Sequence, residues 1–488
     1  MNSTIYEINT RVWVKRFAQS NITPKLIDIP SDYWKSLVDK GIKYVWLMGI
    51  WETVPDTIEK YCFDDGLISE YVKVLPDWKP EDVIGSPYAI DNYKINKTLA
   101  SSSEFIQLKE NLNKLGLKII LDFIPNHFHA ETSLLQTNPE IFFTGDEKLF
   151  AENKQAYFKA KNGNIYAHGR DPNFPAWLDT IQVNYFSESA RSFMINTLKS
   201  ITKLCDGVRC DMAMLPMNNI FQNTWQKQFE LLEINRIEEE FWVHAIQQTK
   251  RVDKDFLFIA EAYWESEWQL QQLGFDFTYD KILLDRLECC DAEIILNHLQ
   301  ADKEFQNKSI RFLENHDEER AITIFGEEKS KAAAIVISTI EGATLFHDGQ
   351  FEGKNVRLPV QLGREPSEEI NDSLVQFYGN LLRIINHPIF TDGSWSLLTS
   401  IQLDEDFTFQ NILSWEWKLR NDKRIVVINF SDSPAYCRIK LTLGSEKENA
   451  TLLDLLNNRE YKREVSEIEN LGLFIHLDAF ESHIFEIE

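Results

Sequence analysis

Apolar and polar positions along the chain fall into a repeating rhythm of short strand-like runs and one-sided helical runs. Ile5 to Val14 (IYEINTRVWV) alternates and is rich in β-formers, which predicts a first strand. Ser31 to Asp39 predicts a helix and Gly41 to Met48 a second strand. Ser101 to Leu115 predicts a well-marked helix: Glu104 follows the serines at its start, Phe105, Leu108, Leu112 and Leu115 recur at helical spacing, and Gly116 stops it. Leu117 to Phe123 (LKIILDF) is an apolar run of the kind buried on both faces. A helix over Ser187 to Lys203 feeds a strand that ends Gly207-Val208-Arg209-Cys210-Asp211. The rhythm continues through a helix at Glu238 to Lys250 and strands at Asp255 to Glu261, Gly274 to Phe277, Ser309 to Asp317 and Ala343 to His347.

Eight strand candidates alternating with helices predict an α/β fold, a closed parallel (β/α)8 TIM barrel. An open doubly wound sheet is the competing architecture. Charged residues close at least four strands, at Asp122, Asp211, Glu261 and Asp317. A barrel gathers those ends into one mouth, whereas an open sheet spreads them. Two stretches break the rhythm. Roughly sixty residues separate His127 from Ser187, too long for a plain loop in a compact domain. They predict a subdomain inserted after strand 3, at 128–186, leaning over the mouth with Phe174 or Trp177 near the substrate path. From about Gly393 the text turns to short alternating runs divided by Asn, Asp, Ser and Gly, which predicts a C-terminal antiparallel β-sandwich. The expected division is therefore 1–127 plus 187–392 for the barrel, 128–186 for the insertion and 393–488 for the sandwich.

Composition narrows the partners. Among 488 residues the formal net charge is −25, which argues against nucleic acid or an anionic membrane as partner. Six cysteines show no CxxC pair or metal-ligand spacing. The start has neither a basic nor an apolar leader segment, and no run is long enough to span a membrane, so cytoplasmic residence is expected.

Side chains alternate along a strand, so Arg209 and Asp211 must emerge on one face, where the arginine favours the ionised carboxylate. A buried ion pair without chemistry is the bland alternative. Four strand ends then line up: Asp122 with Asn126 and His127, Arg209 with Asp211, Glu261, and His316 with Asp317. Two carboxylates flanking a glycosidic bond are what retaining sugar hydrolysis requires.

The chain resembles the α-amylase family, glycoside hydrolase family 13, through four motifs in order. Asp122-Phe123-Ile124-Pro125-Asn126-His127 is similar to the first, Gly207-Val208-Arg209-Cys210-Asp211 to the second, Glu261-Ala262-Tyr263-Trp264 to the third and Phe312-Leu313-Glu314-Asn315-His316-Asp317 to the fourth. The resemblance implies Asp211 as nucleophile, Glu261 as acid/base and Asp317 as transition-state stabiliser. It implies Arg209 orienting Asp211, with Asp122, His127 and His316 on the glucosyl ring and Tyr88 stacked beneath it. Asn92 and Pro87 stand where the Tyr88 element usually has aspartate and glycine. Gln350 and Arg357 look like further subsite lining.

Where many members carry Lys-His after the nucleophile, helping to hold calcium, this chain has Met214-Leu215. Asn126, a calcium ligand in much of the family, persists. No cofactor and no metal are expected. Met214-Leu215 as an apolar wall predicts a small aglycone or short oligosaccharide as the acceptor-side partner. The expected activity is retaining hydrolysis of α-glucosidic bonds, with transglycosylation, phosphorolysis or isomerisation as alternatives on the same machinery. His127-Phe128-His129 admits a metal-dependent amidohydrolase as a remote alternative. A non-catalytic scaffold is another, disfavoured by the presence of all three carboxylates.

Overall fold

The protein is described by a computed structural model covering residues 3–20, 22–232, 237–444 and 447–487. Eight parallel strands close into a barrel in chain order: β1 (Thr4–Asn9), β2 (Tyr44–Met48), β3 (Lys118–Phe123), β4 (Gly207–Cys210), β5 (Leu257–Ala260), β6 (Phe277–Tyr279), β7 (Ser309–Arg311) and β8 (Ala343–His347). β1 shuts the ring by pairing with both β2 and β8. The strands are short and almost wholly buried because helices cover them outside and side chains fill them inside.

Local sequence explains the helical layer. Ser101 accepts from the Glu104 amide and Glu104 returns the contact, capping the Ser102–Leu115 helix. Gly116 ends that helix at φ +87°, a left-handed conformation that costs glycine little. Phe105, Leu108 and Leu112 face the barrel. The Glu327–Thr339 helix is different: Ala332 to Thr339 are all buried. It lies between the barrel and the C-terminal sheets, and a helix covered all round need not be amphipathic.

β1 is shorter than its alternation suggests. The chain leaves the wall after Asn9, and Thr10–Trp13 forms a helical turn followed by a 3-10 turn over Val14–Phe17. Arg11, inside that turn, is buried and donates to Gly85 O at 2.8 Å and Val360 O at 3.0 Å. A run this short with mixed polarity fits either period, so pattern alone could not place the break. β7 likewise stops at Arg311 and leaves Phe312 to Asp317 to the loop above it. β6 begins at Phe277, where Gly274 to Phe277 had been expected.

After β3 the chain forms two short strand pairs whose buried residues join the barrel's own core. His127–His129 pairs antiparallel with Thr180–Gln182, and Tyr157–Lys159 pairs with Ile165–Ala167. At the C-terminal end a six-stranded sheet faces a three-stranded one. Ile412, Ile425, Val427, Leu452 and Phe485 of the larger pack on Cys437, Ile439, Ile475 and Leu477 of the smaller. The other face of the larger sheet presents Trp415, Trp417, Val426 and Ile428 to the barrel side, and Trp417 Nε1 donates to Thr339 O at 2.6 Å. Among the described residues no helix is long and apolar enough to cross a membrane.

Candidate active site

The backbone ladder continues past the formal strand ends and sets the positions of the key carboxylates. Arg209 lies level with Asp122 on β3 and Ile259 on β5. Beyond it, the Asp211 amide donates to Phe123 O at 2.8 Å and the Glu261 amide to Cys210 O at 3.1 Å. Asp211 and Glu261 thus leave neighbouring strands at the same height.

Arg209 is the hub. Its guanidinium, 1 % exposed, bonds Asp211 Oδ1 at 2.7 Å and pairs with Glu261 Oε1 at 2.6 Å, with Asp122 Oδ1 at 3.8 Å. Its Nε donates to Tyr279 Oη at 3.3 Å. The faces of Trp46, Tyr88 and Tyr279 surround it, their ring centres 5.2, 5.4 and 5.7 Å away. Aromatic faces and carboxylates together offset the loss of hydration of a fully buried cation.

Each carboxylate has its own setting. Asp122 accepts from Trp46 Nε1 and the Gly49 amide, both at 3.2 Å. Burial pushes it up to about 6, against the pull of Arg209 and His316. Glu261 accepts from the Met212 amide at 2.6 Å and from Tyr263 Oη at 3.2 Å. Burial does most to raise it to about 7; Asp211 and Asp317 add to that, and Arg209 opposes. Met212 sits at φ +42°, a strained conformation for a side chain with a Cβ, and so turns its amide toward Glu261. Asp317 is half exposed. What desolvation it suffers is outweighed by His316, which holds it well below the usual carboxylate range.

His316 Nε2 lies 2.6 Å from Tyr88 Oη and 3.1 Å from Asp317 Oδ2, and its ring stacks on Tyr88 with centroids 5.3 Å apart. His127 is buried, which lowers its pKa, and its ring is 5.2 Å from that of Trp177. The insertion therefore brings Trp177 against a candidate substrate contact, while Phe174 is 66 % exposed. All eight residues singled out from sequence are linked to one another here by bonds, stacking or charge. Sequence reading missed Glu7, Trp46, Tyr263 and Tyr279. Glu7 carried a signal, the one acidic residue in the first strand.

Two expectations need correction. Met214 and Leu215 are 0 % and 2 % exposed, packed in the core, so they form no wall toward a leaving group. An apolar pair beside a catalytic strand end is as well suited to filling the barrel as to lining its mouth. Gln350 is buried too: its Nε2 donates to Tyr378 Oη and its Oε1 accepts from the His347 amide. It fixes the end of β8 and lines no subsite. Arg357 does reach the mouth, donating to Asp317 O at 3.4 Å.

The calcium position that Asn126 suggests is taken by protein. Asn126 O, Asn126 Oδ1 and Val183 O all accept from the amide of buried Gln182, at 2.9, 2.9 and 3.0 Å. Three oxygens converging on one NH2 group leave no free donor set, and the residues do not fit a bound cation. His129 is similarly occupied, by Thr57 Oγ1 at 2.9 Å on Nε2 and by the Glu131 amide on Nδ1. Among the described residues no group of three or more His, Cys, Asp or Glu could hold a metal ion.

Acidic residues at the C-terminal mouth of a (β/α)8 barrel, clustered on one arginine, define a class of carboxylate-based barrel proteins. The model of the α-amylase catalytic domain matches residues 31–374, and the chain belongs to the α-amylase family of glycoside hydrolases. It is 23% identical over 355 residues to "Alpha-amylase MalA" of Haloarcula japonica, covering 70% of this chain and 47% of that protein. It is 22% identical over 305 residues to "Alpha-amylase 3" of Dictyoglomus thermophilum, covering 58% and 56%. The chain thus spans about half the length of these curated relatives. In fold it is similar to the maltogenic α-amylase AmyB of Thermotoga neapolitana, with a TM-score of 0.70 at 20% identity, covering 99% of this chain and 98% of that one.

Proposed function

We propose that this protein is a cytoplasmic, retaining glycosidase that hydrolyses α-glucosidic bonds of short oligosaccharides or small α-glucosides. The observation that carries the reading is the sharing of one guanidinium by Asp211 and Glu261, at 2.7 and 2.6 Å. Two carboxyls on one guanidinium favour the narrow spacing of ~5–5.5 Å used in retention over the ~6.5–9.5 Å that leaves room for an inverting water.

Asp211, ionised beside Arg209, attacks the anomeric carbon while Glu261 gives its proton to the departing oxygen. The glycosyl–Asp211 ester forms as the glycosidic bond breaks. Glu261, now a carboxylate, takes a proton from water, which attacks the same carbon and releases Asp211. Asp317 and His316 grip ring hydroxyls more tightly as the ring becomes cation-like, Asp122 and His127 hold the remaining hydroxyls, and Tyr88 stacks beneath. A Glu261 poised near 7 suits an acid that must also serve as a base.

Product analysis over maltose, maltotriose, isomaltose, trehalose, sucrose and starch, with and without phosphate, tests this. Hydrolysis of a short α-glucoside should exceed attack on soluble starch. Phosphate-dependent release of a glucose phosphate, rearranged disaccharides, or starch cleaved far faster than maltotriose would each replace the reading.

A further inference from the structure

Glu7 lies on β1, level with Trp46 on β2 and His347 on β8, and is 0 % exposed. Its Oε1 is 2.5 Å from Nδ1 of His316, and among the described residues its Oε2 has no hydrogen-bond partner. A buried carboxylate with one oxygen unpartnered is expensive to keep unless a cation stands against it. The cation available at bonding distance is the His316 ring, whose other nitrogen faces Tyr88 Oη and Asp317 Oδ2. We propose that Glu7 is a positioning residue for the site, one that locks His316 with Nδ1 protonated and holds it as an imidazolium whose Nε2–H is shared among Asp317, Tyr88 and a substrate hydroxyl. The proposal rests on the site assignment above.

The surroundings agree. A neutral histidine bonded to Glu7 through Nδ1–H could accept from Tyr88 Oη at 2.6 Å, but its bare Nε2 lone pair would also face Asp317 Oδ2 at 3.1 Å, acceptor against acceptor. Burial would favour that neutral ring, but Asp317 and Glu7 together outweigh it and raise the His316 pKa well above its ordinary value. The other groups that bear on the pair are Asp122 on β3, which acts on His316, and Tyr279 on β6, which faces Glu7. Trp46 presents its ring edge-on to His316 at 5.5 Å and adds no charge. Arg16, Arg320 and Asp348 stand beyond, around a small cavity that His316 also lines.

The test uses the full chain with Glu7→Gln and Glu7→Asp. Gln keeps the shape and an acceptor for Nδ1–H but removes the charge; Asp keeps the charge on a shorter arm. Two readouts apply: the pH titration of the His316 ring by 15N NMR, assigned with His316→Gln, and kcat/KM for α-glucosyl fluoride. The fluoride substrate leaves without a proton, so the Glu261 titration does not enter. Expected for Glu7→Gln is a His316 that deprotonates near the ordinary histidine value of ~6.5, and a kcat/KM loss of roughly ten- to hundredfold at about pH 8.5 that shrinks to a few-fold at about pH 5. Glu7→Asp should recover most of the loss at high pH. An equal loss at both pH values, or a wild-type His316 that itself titrates near ~6.5, would overturn the proposal. The wild-type titration decides even if Glu7→Gln does not fold. If the wild type turns over no α-glucosyl substrate, the proposed function fails while the titration still reads the pair.

Discussion

Replacing Glu261 by glutamine should make the protein progressively more stable than the wild type as the pH rises. Glu261 is 3 % exposed and its pKa is raised from an ordinary 4.5 to about 7, first by burial and then by Asp211 and Asp317. A carboxyl raised on folding binds its proton more tightly in the native state. Its stabilising contribution is therefore complete below about pH 4.5 and is lost as the pH climbs through about 7. Roughly two and a half pH units at ~1.4 kcal/mol each make the full contribution about 3 kcal/mol, most of it lost between about pH 5 and about pH 8.5. Glutamine carries no such dependence. It also puts an NH2 group where Glu261 accepts from the Met212 amide, a loss that does not change with pH. The diagnostic quantity is thus the change with pH in the stability gap between variant and wild type. Denaturant melts of both proteins at the two pH values should show that gap moving by about 2–3 kcal/mol in favour of Glu261→Gln at the higher pH. A gap that stays constant, or moves the other way, would refute a Glu261 kept protonated near neutrality.

Three further outcomes follow from the structure. Arg209→Met would leave Asp211 without its bonded cation in a buried setting, so denaturant melts should show a loss of about 3–5 kcal/mol; a loss under about 1 kcal/mol would mean that the guanidinium does not hold the site together. A metal chelator should change neither the melting temperature nor the turnover, whereas Gln182→Ala, which frees three buried carbonyl oxygens, should cost about 1–3 kcal/mol; inactivation by the chelator would restore a metal at Asn126.

The barrel was legible because short β-rich runs such as LKIILDF recur in alternation with one-sided helical runs, as a parallel sheet covered by helices requires. The four motifs were legible because a charge at the end of such a run has few structural uses. What the pattern hid was burial at finer scale. Met214 and Leu215 read equally well as mouth or core, and only the turn of the chain after Asp211 decides. Arg11 and Trp13 continue an alternation that the backbone has already abandoned for a helical turn. Glu7 and Gln182 act through partners about three hundred and about fifty residues away, His316 and Asn126, and no local spacing reveals such a pairing.

Asp211→Asn bears on the cycle as a whole. The change is nearly isosteric, so the fold should persist while the covalent step is lost, with kcat falling by about 10⁴-fold or more. It also removes one of the charges that raise Glu261, and leaves Arg209 to act on Glu261 with less competition. Glu261 should then titrate below about 7. The same change would accompany the proposed reaction itself: once Asp211 is esterified its charge is gone, Glu261 becomes the stronger acid, and it reaches the second step as the carboxylate that step needs. A 13C titration of the Glu261 carboxyl in Asp211→Asn, set against the wild type, reads this directly. A Glu261 that titrates at the same pH in both proteins, or higher in the variant, would show that burial alone sets its acidity. The two carboxylates would then have to be treated as independent groups rather than as a pair coupled across one arginine.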